Sequence, residues 1–445
     1  MSTHVMIIGG GIGGLCLAQG LKQAGVSVAV YERDRTRTDR LQGYRIHISP
    51  AGSRALHDCL PPELFDAFVA TTGKSGDGFT FLTEQLRPLL RATSADIAGS
   101  GVGGSADPAN SHHSVSRITL RQVLLAGLDD IVHFDKKFVK YQQRPDGSVT
   151  AFFDDGSEAV GDVLVGADGG NSRVRRQYLP HAERLDTGIV GIAGKLPLNQ
   201  RTRAMLPPSL GSGAAFIAGA PGGKAMFLAV QEFDRERISV QPPAGVRSGV
   251  GGDDAAATEH PGFLFDNTGD YLMWGFTAHR DRYPRSRLEA LDSQELQQVA
   301  LQMIAGWHPD LRRLLAESDP ATVALLGIHT ATPVQPWPAS TVTLLGDAIH
   351  SMTPFRGIGA NVALRDAQLL SRRLIAAEQG DLRLPQAIGG YETEMITYGF
   401  AAVRDSLTTA RQATSDGALS RIAGRSFLRV ANSLPGMKRR MFAGD

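Results

Sequence analysis

The stretch HVMIIGGGIGGLCLAQGLKQAGVSVAVYERD, His4 to Asp34, constrains the fold more than any other part of the chain. Val5 to Ile8 form a continuous apolar run, the pattern of a short strand buried on both faces. Gly9, Gly11 and Gly14 follow in G-x-G-x-x-G spacing, and a helix is predicted from about Gly13 to Ala24, stopped by Gly25. Val26 to Tyr31 read as a second strand with Glu32 at its carboxyl end. This order builds a parallel sheet with a crossover helix. Gly9 permits the tight turn, Gly11 lets backbone approach a pyrophosphate, and Gly14 lets helix and strand pack closely. The phosphates would meet the free amides of the helix N-terminus. Glu32 at this position accepts from ribose hydroxyls and favours an unphosphorylated ribose, as in FAD or NAD, over NADP. The other reading of the cluster is a glycine-rich structural turn. The motif does not choose between FAD and NAD.

Composition narrows the class. With 445 residues, 42% of them hydrophobic, the chain has material for two or three structural units. A formal net charge of +1 and no basic stripe argue against a nucleic-acid partner. Only Cys16 and Cys59 occur, so a disulfide framework is excluded and a reducing, cytoplasmic setting is expected. No metal-ligand spacing appears, and no metal is expected. Val5 to Leu21 is uncharged, but it lacks a basic leader and holds the glycine cluster, so a buried strand and turn explain it better than a membrane span.

Two later motifs decide the cofactor. DVLVGADGGNSRVRRQYL, Asp162 to Leu179, is another buried strand ending at Asp168-Gly169, with Ser172, Val174 and Arg175 completing D-G-x-x-S-x-V-R. An Asx-type helix cap is the structural alternative for Asp168. STVTLLGDAIHSMTPFRGIGAN, Ser340 to Asn361, is a third strand ending at Gly346-Asp347, followed by glycines that open a long helix. An aspartate at that strand end can hydrogen-bond ribityl or ribose hydroxyls.

Together, GGGIGG, Glu32, DGGNSRVR and GDAIHSMTPFRGIGANVALRDA stand in the order of the FAD-dependent aromatic hydroxylases, the group A flavoprotein monooxygenases, and the chain resembles that family over most of its length. The resemblance implies an α/β fold: a Rossmann-like FAD-binding domain, an inserted, mostly antiparallel β-sheet substrate domain, and C-terminal helices. Residues 1–75, 114–180 and 286–380 would form the FAD-binding parts, 76–113 a substrate-side segment, 181–285 the substrate sheet, and 381–445 the terminal helices. It further implies that Gly9, Gly11, Ile12, Gly13, Gly14, Glu32 and Arg33 meet the adenosine half of FAD, though Arg33 fits a solvent position almost as well. Arg117, in SVSRITLRQVLLAGL, is carried over as an FAD contact with Arg121 as a weaker second, and Asp168 and Asp347 join the set. Pro354, Gly357, Ile358, Gly359, Ala360 and Asn361 would wrap the flavin ring, the helix start stabilising negative charge at its N1–O2 edge. Arg356 departs from the family pattern by adding a charge there.

DRLQGYRIHISPAG matches the segment passing the flavin and substrate face. Arg40 is the candidate for the phosphates of NADH or NADPH. Arg45 and His47 are the candidate catalytic groups, with solvent-facing strand positions the open alternative. If the substrate is a phenol, His47 would help deprotonate it, because histidine titrates near neutrality.

Segments such as GAAFIAGAPGGKAMFLAVQ and YLMWGFTAHR read as antiparallel strands, the first with a hairpin at Ala220–Gly223. They carry Phe216, Phe227, Met273 and Trp274, which with Phe355 are the candidate contacts for a planar or polycyclic ligand. About half of such alternating positions belong to core. LDSQELQQVALQMIAGW predicts a helix capped by Asp292 with Glu295 at its third position. The implied activity is an NAD(P)H-using FAD monooxygenase that forms a flavin C4a-hydroperoxide and delivers one atom of O2 to an aromatic or polycyclic small molecule, as a monomer or weak dimer without a membrane partner. Hydroxylation leads, with epoxidation, Baeyer–Villiger oxidation or an oxidase as alternatives. A halogenase is excluded by the missing W-x-W-x-I-P sequence. A non-enzymatic FAD scaffold is disfavoured because the third motif shapes the ring face.

Overall fold

The computed structural model describes residues 3–37, 45–74, 76, 78–93, 96, 107–210, 213–233, 269–284 and 287–442. Arg40 lies outside these residues, as do RISVQPP (237–243), which the sequence reads as extended, the glycine-rich surface connection read at 247–262, and residues 99–106 of the one read at 99–109.

The chain begins β1 (His4–Ile8), α1 (Ile12–Gln23), β2 (Ser27–Tyr31), β3 (Arg45–Ile48) and α2 (Pro50–Cys59). A β4–β5 hairpin (Gly78–Leu82, Pro88–Thr93) precedes β6 (His113–Ser116), α3 (Arg117–Leu125) and β7 (Val132–His133). A small antiparallel meander, β8 (Phe138–Gln143), β9 (Val149–Phe153) and β10 (Glu158–Gly161), leads to β11 (Val163–Gly166) and α4 (Arg173–Tyr178). Then come β12 (Arg184–Pro197), β13 (Ala214–Ala220), β14 (Lys224–Gln231), β15 (Tyr271–His279), α5 (Ser293–Met303), α6 (Pro309–Ala316) and β16 (Ala324–Ala331). The last part is β17 (Val342–Leu344), α7 (Asp347–His350), α8 (Gly359–Glu378), α9 (Leu384–Ala413) and α10 (Ala418–Ser433).

Two sheets organise this. The first is parallel, in the order β17-β11-β1-β2-β7. Val5, Met6, Ile7, Val163, Leu164 and Val165 are fully buried because α1 packs on one face and the β8–β10 meander on the other. The second runs β16-β12-β15-β14-β13-β4-β5 and is antiparallel except for the β13–β4 pair. Its hairpin turns at Gly222 and Gly223, both at positive φ. The predicted cap of α5 is a reciprocal box: the Glu295 amide donates to Asp292 at 2.8 Å, and the Asp292 amide to Glu295 at 3.1 Å.

One boundary moves. The substrate unit was expected to end at 285, yet β16 pairs with β12, and α5 and α6 supply the core of the large sheet. That unit therefore runs to Ala331. A strand more than a hundred residues in sequence from its one sheet neighbour, β12, leaves no local signal of membership.

Strand β15 separates two environments by its pleat. Leu272, Trp274, Phe276 and Ala278 face the core made with α5 and α6, while Met273 and Thr277 face the opposite side. Trp274 is fully buried and its indole N–H donates to Ser318 at 2.8 Å. The expected ligand role of Trp274 is thus corrected: it is a core residue one position out of register with the open face. In urea unfolding, Trp274→Ala is expected to cost about 3–5 kcal/mol, and Met273→Ala much less.

Candidate active site

Parallel pairing brings the carboxyl ends of β1, β2, β11 and β17 to one edge, the usual crevice of an open α/β sheet. The Gly9 amide donates to Tyr31 O at 2.9 Å, Ala167 N to Ile8 O at 2.8 Å, and Leu345 N to Gly166 O at 3.0 Å. The glycines divide their work. A Cβ at Gly9 would lie 2.4 Å from Ala167 O, and one at Gly14 only 2.3 Å from Gly9 O. Gly13 packs on Leu345 and Ala363, and Ile12 is buried. A Cβ at Gly11 would meet nothing within 4 Å, so this position opens onto the crevice. Behind it α1 starts with no side-chain cap and no acid in its first turn, leaving its first amides for an anion.

Glu32 is buried, and its carboxylate accepts from the Gly10 amide at 2.5 Å and the Asp34 amide at 2.9 Å. It braces the glycine turn. Arg121 donates to Gly10 O at 2.9 Å and stands 3.6 Å from Asp34, whereas Arg117 and Arg33 are exposed. The weaker expectation of the two α3 arginines is therefore the one joined to the turn.

In the second motif, Asp168 Oδ2 accepts from the Arg173 amide at 2.7 Å, which is the helix cap foreseen as the structural alternative. Its Oδ1 is buried without a partner, and burial raises the carboxyl pKa despite those amides. Arg175 donates to Ala348 O at 2.8 Å, tying this motif to the third.

In the third motif, Asp347 opens α7 and is exposed at the crevice edge. Behind it stands a network absent from the sequence reading. Asp366 Oδ2 accepts from Gly346 N at 2.7 Å and lies 2.6 Å from His350 Nε2, while Tyr398 donates to Oδ1 at 2.5 Å. Burial pulls the His350 imidazole down, but the charge and hydrogen bond of Asp366, with the charge of Asp347, outweigh it and the pKa rises. The only sequence signal was a histidine in GDAIH with an acid sixteen residues further on.

Pro354–Arg356 form a single 3-10 turn, and Gly357 turns the chain at φ 66° into α8. Helix α8 has neither a side-chain cap nor an acid in its first turn, so the amides at Gly359, Ala360 and Asn361 start free of such partners, next to buried Ile358. The Asn361 side chain does not reach into the crevice. It accepts from Ser49 N at 2.8 Å and donates to His47 O at 2.9 Å, clamping β3 to the helix start. Arg356 is turned onto Asp405 at 2.9 Å, so its charge is neutralised on α9.

Facing this edge, the open side of the large sheet presents Phe216, Phe227 and Met273, with the Phe216 and Phe355 rings edge-to-face at 6.3 Å. His47 Nε2 lies 3.1 Å from His112 Nδ1, with the rings stacked. Burial first, then the charge of Arg45 and the two histidines at 112 and 113, push His47 down to about 3. The expectation of a near-neutral base at His47 is corrected: the imidazole stays neutral and serves as a hydrogen-bonding group.

Comparisons with known proteins bear on the fold and the family. Residues 7–68 match an NAD(P)-binding Rossmann-like domain and residues 287–406 an FAD binding domain. A solved structure from Photorhabdus luminescens, assigned as an FAD containing monooxygenase, is 34% identical with a TM-score of 0.77, covering 93% of this chain and 99% of that one. The chain belongs to the FAD-dependent aromatic hydroxylase family. A dual O-methyltransferase/FAD-dependent monooxygenase of Phaeosphaeria nodorum is 30% identical over 418 residues, 87% of this chain but 42% of that protein. The chain thus spans less than half the length of that relative. An FAD-dependent urate hydroxylase of Klebsiella pneumoniae is 28% identical, covering 82% of this chain and 79% of that one. The family binds FAD, and the open Gly11, the uncapped starts of α1 and α8, and the orphaned Asp168 Oδ1 fit that group.

The glycine assignment predicts a split. Gly11→Ala should leave thermal stability nearly unchanged while weakening FAD binding roughly tenfold or more by filling the cradle. Gly14→Ala should destabilise the apoprotein itself. For the buried pair, protonated His350 beside Asp366 adds stability that is complete below pH 6.5 and lost as pH rises through the elevated folded value. The stability gap between wild type and Asp366→Asn, measured by urea midpoint, should therefore narrow as pH is raised above 6.5.

Proposed function

We propose that the chain is an NADH- or NADPH-dependent monooxygenase unit that inserts one atom of O2 into an apolar aromatic or polycyclic small molecule, most directly as a hydroxylation. The observation that carries this reading is the pairing of an anion-receptive helix start, α8, with the apolar open face of the large sheet. When bound, FAD supplies the reducible ring at which dioxygen is activated. The α1 amides behind Gly11 hold its pyrophosphate, and Asp168 Oδ1 and Asp347 accept from its hydroxyls. The amides at Gly359, Ala360 and Asn361 stabilise negative charge on the ring. Phe216, Phe227, Met273 and Phe355 orient the substrate and exclude water. His47, neutral, orients a polar substrate group rather than removing its proton. Arg40 is proposed to take a phosphate of the nicotinamide donor.

The names of the relatives favour hydroxylation over epoxidation or Baeyer–Villiger oxidation. One joins a monooxygenase to an O-methyltransferase, and an O-methyltransferase consumes the hydroxyl that a hydroxylation leaves. The urate hydroxylases carry the same outcome in their names. Turnover under labelled dioxygen, with mass spectrometry of the product and a parallel peroxide assay, tests the reading. One labelled oxygen in the product is expected. Stoichiometric peroxide with an unlabelled, dehydrogenated product would make the chain an oxidase.

A further inference from the structure

The last two helices, α10 and α11 (Pro435–Phe442), lie along β5, the edge strand of the large sheet. Their inward side is well held. Asn432 accepts from the Arg91 amide at 3.0 Å, Arg425 pairs with Glu84, and Lys438 pairs with Asp96 at 2.8 Å. Leu428 and Ala431 pack with Leu90 and Ala92.

The outward side of α10 is apolar and uncovered. Leu419 is 84% exposed and Ile422 61%, and Phe427, Val430 and Leu434 are each about half exposed. At about 100° per residue these five fall within an arc of about 140°, a stripe of the width that normally faces a core. Apolar residues scattered singly on a surface need no explanation, but six of the ten large ones exposed among the described residues lie between Leu419 and Met441.

The charge around the stripe has one sign. Residues 417–442 hold six Lys and Arg and no Asp or Glu. Arg425 and Lys438 are turned inward onto acids, whereas Arg421 and Arg429 have no carboxylate partner among the described residues. Arg429 is exposed, two turns on from Ile422, at the border of the stripe.

These features select the occupant. A second copy packed across a two-fold axis would set basic residues against basic residues, with no acid on either helix to offset them. A bilayer interface with anionic headgroups offers both halves of what the helix presents: an apolar depth for the stripe and negative charge for the guanidinium groups. With 16 residues α10 is about 24 Å long, too short to span, and Arg421, Arg425 and Arg429 interrupt it every fourth residue. The sequence expectation of no membrane partner concerned spanning segments, and among the described residues no helix is long and apolar enough to cross a membrane. Lying on one is a different requirement.

We propose that α10 is a surface anchor, laying its Leu419–Leu434 face into the interface of an anionic lipid bilayer. The proposal does not rest on the monooxygenase reading.

The test is co-sedimentation of the FAD-loaded protein with vesicles of phosphatidylcholine alone and of phosphatidylcholine with phosphatidylserine in equal parts. Wild type should bind the anionic vesicles roughly tenfold or more tightly than the neutral ones, and added salt should weaken that binding. The double variant Ile422→Ser/Val430→Ser should lose vesicle binding, and Arg429→Glu should weaken it roughly tenfold. Val160→Ser, at an exposed apolar residue elsewhere, should leave it unchanged. All three variants should keep bound FAD and the wild-type thermal midpoint, because every substituted side chain is exposed. Absent binding, or equal binding to the two vesicles, overturns the proposal, and so does binding that survives in the double variant or is lost equally in Val160→Ser. A wild-type dimer in sedimentation velocity that becomes monomeric in the double variant, without vesicle binding, assigns the face to a second copy and overturns it too. Sedimentation reads no turnover, so failure here leaves the proposed oxygen insertion to its own test.

Discussion

The site depends on the parallel alignment of β1 with β2, β11 and β17. Parallel strands end at the same edge, so motifs separated by more than three hundred residues converge there without any direct sequence relation. The convergence is tight. Gly9 fits against Ala167 O and Gly14 against Gly9 O with no room for a Cβ, so the first and second motifs are fixed in register by backbone contact. Arg175, reaching Ala348 O, extends that lock to the third. A change in any one strand end would therefore displace the others, and small residues are required there by packing before any ligand is considered.

The second sheet contributes through its pleat. One face closes a core with α5 and α6, and the other turns toward the strand ends, so each residue shift along β15 moves a side chain between stability and recognition. The large sheet meets the FAD-binding part through both polar and apolar contacts: Ser114 donates to Gln231, and Ile189 and Ile328 pack with Phe355 and Ala410, while Asn361 clamps the backbone of His47 and Ser49 within the FAD-binding part. Such directional contacts fix β3 in place between the helix start and the sheet. They also explain why Asn361, read from sequence as a ring contact, spends its side chain on architecture while its backbone remains at the helix N-terminus.

What was legible in the sequence was local. The glycine turn, the Asp292–Glu295 box and the Ala220–Gly223 hairpin each lie within a few residues, where steric and capping rules act directly. What was not legible depends on distant pairing. Trp274 and Met273 are adjacent in sequence and equally apolar, and only the position of α5 and α6 decides which of them is core. Arg117 and Arg121 differ by one helical turn, and only the placement of Gly10 selects Arg121. The membership of β16 and the Asp366–His350 pair required knowing which elements meet. The near-neutral titration expected of His47 failed for the same reason: its ordinary value belongs to water, whereas burial beside Arg45 and His112 belongs to the fold.

These charges form a consistent pattern. Buried acids near the strand ends are satisfied mainly by backbone amides: Glu32 by Gly10 and Asp34, Asp168 by Arg173, and Asp366 by Gly346 together with His350 and Tyr398. Each uses its negative charge to hold a turn in shape, and Asp168 keeps a second oxygen, Oδ1, unpaired. At the crevice the uncapped starts of α1 and α8 present donors, with the exposed carboxylate of Asp347 at the edge. Those helix starts make the crevice receptive to anions in a chain whose net charge is only +1, which no reading of overall charge would have indicated.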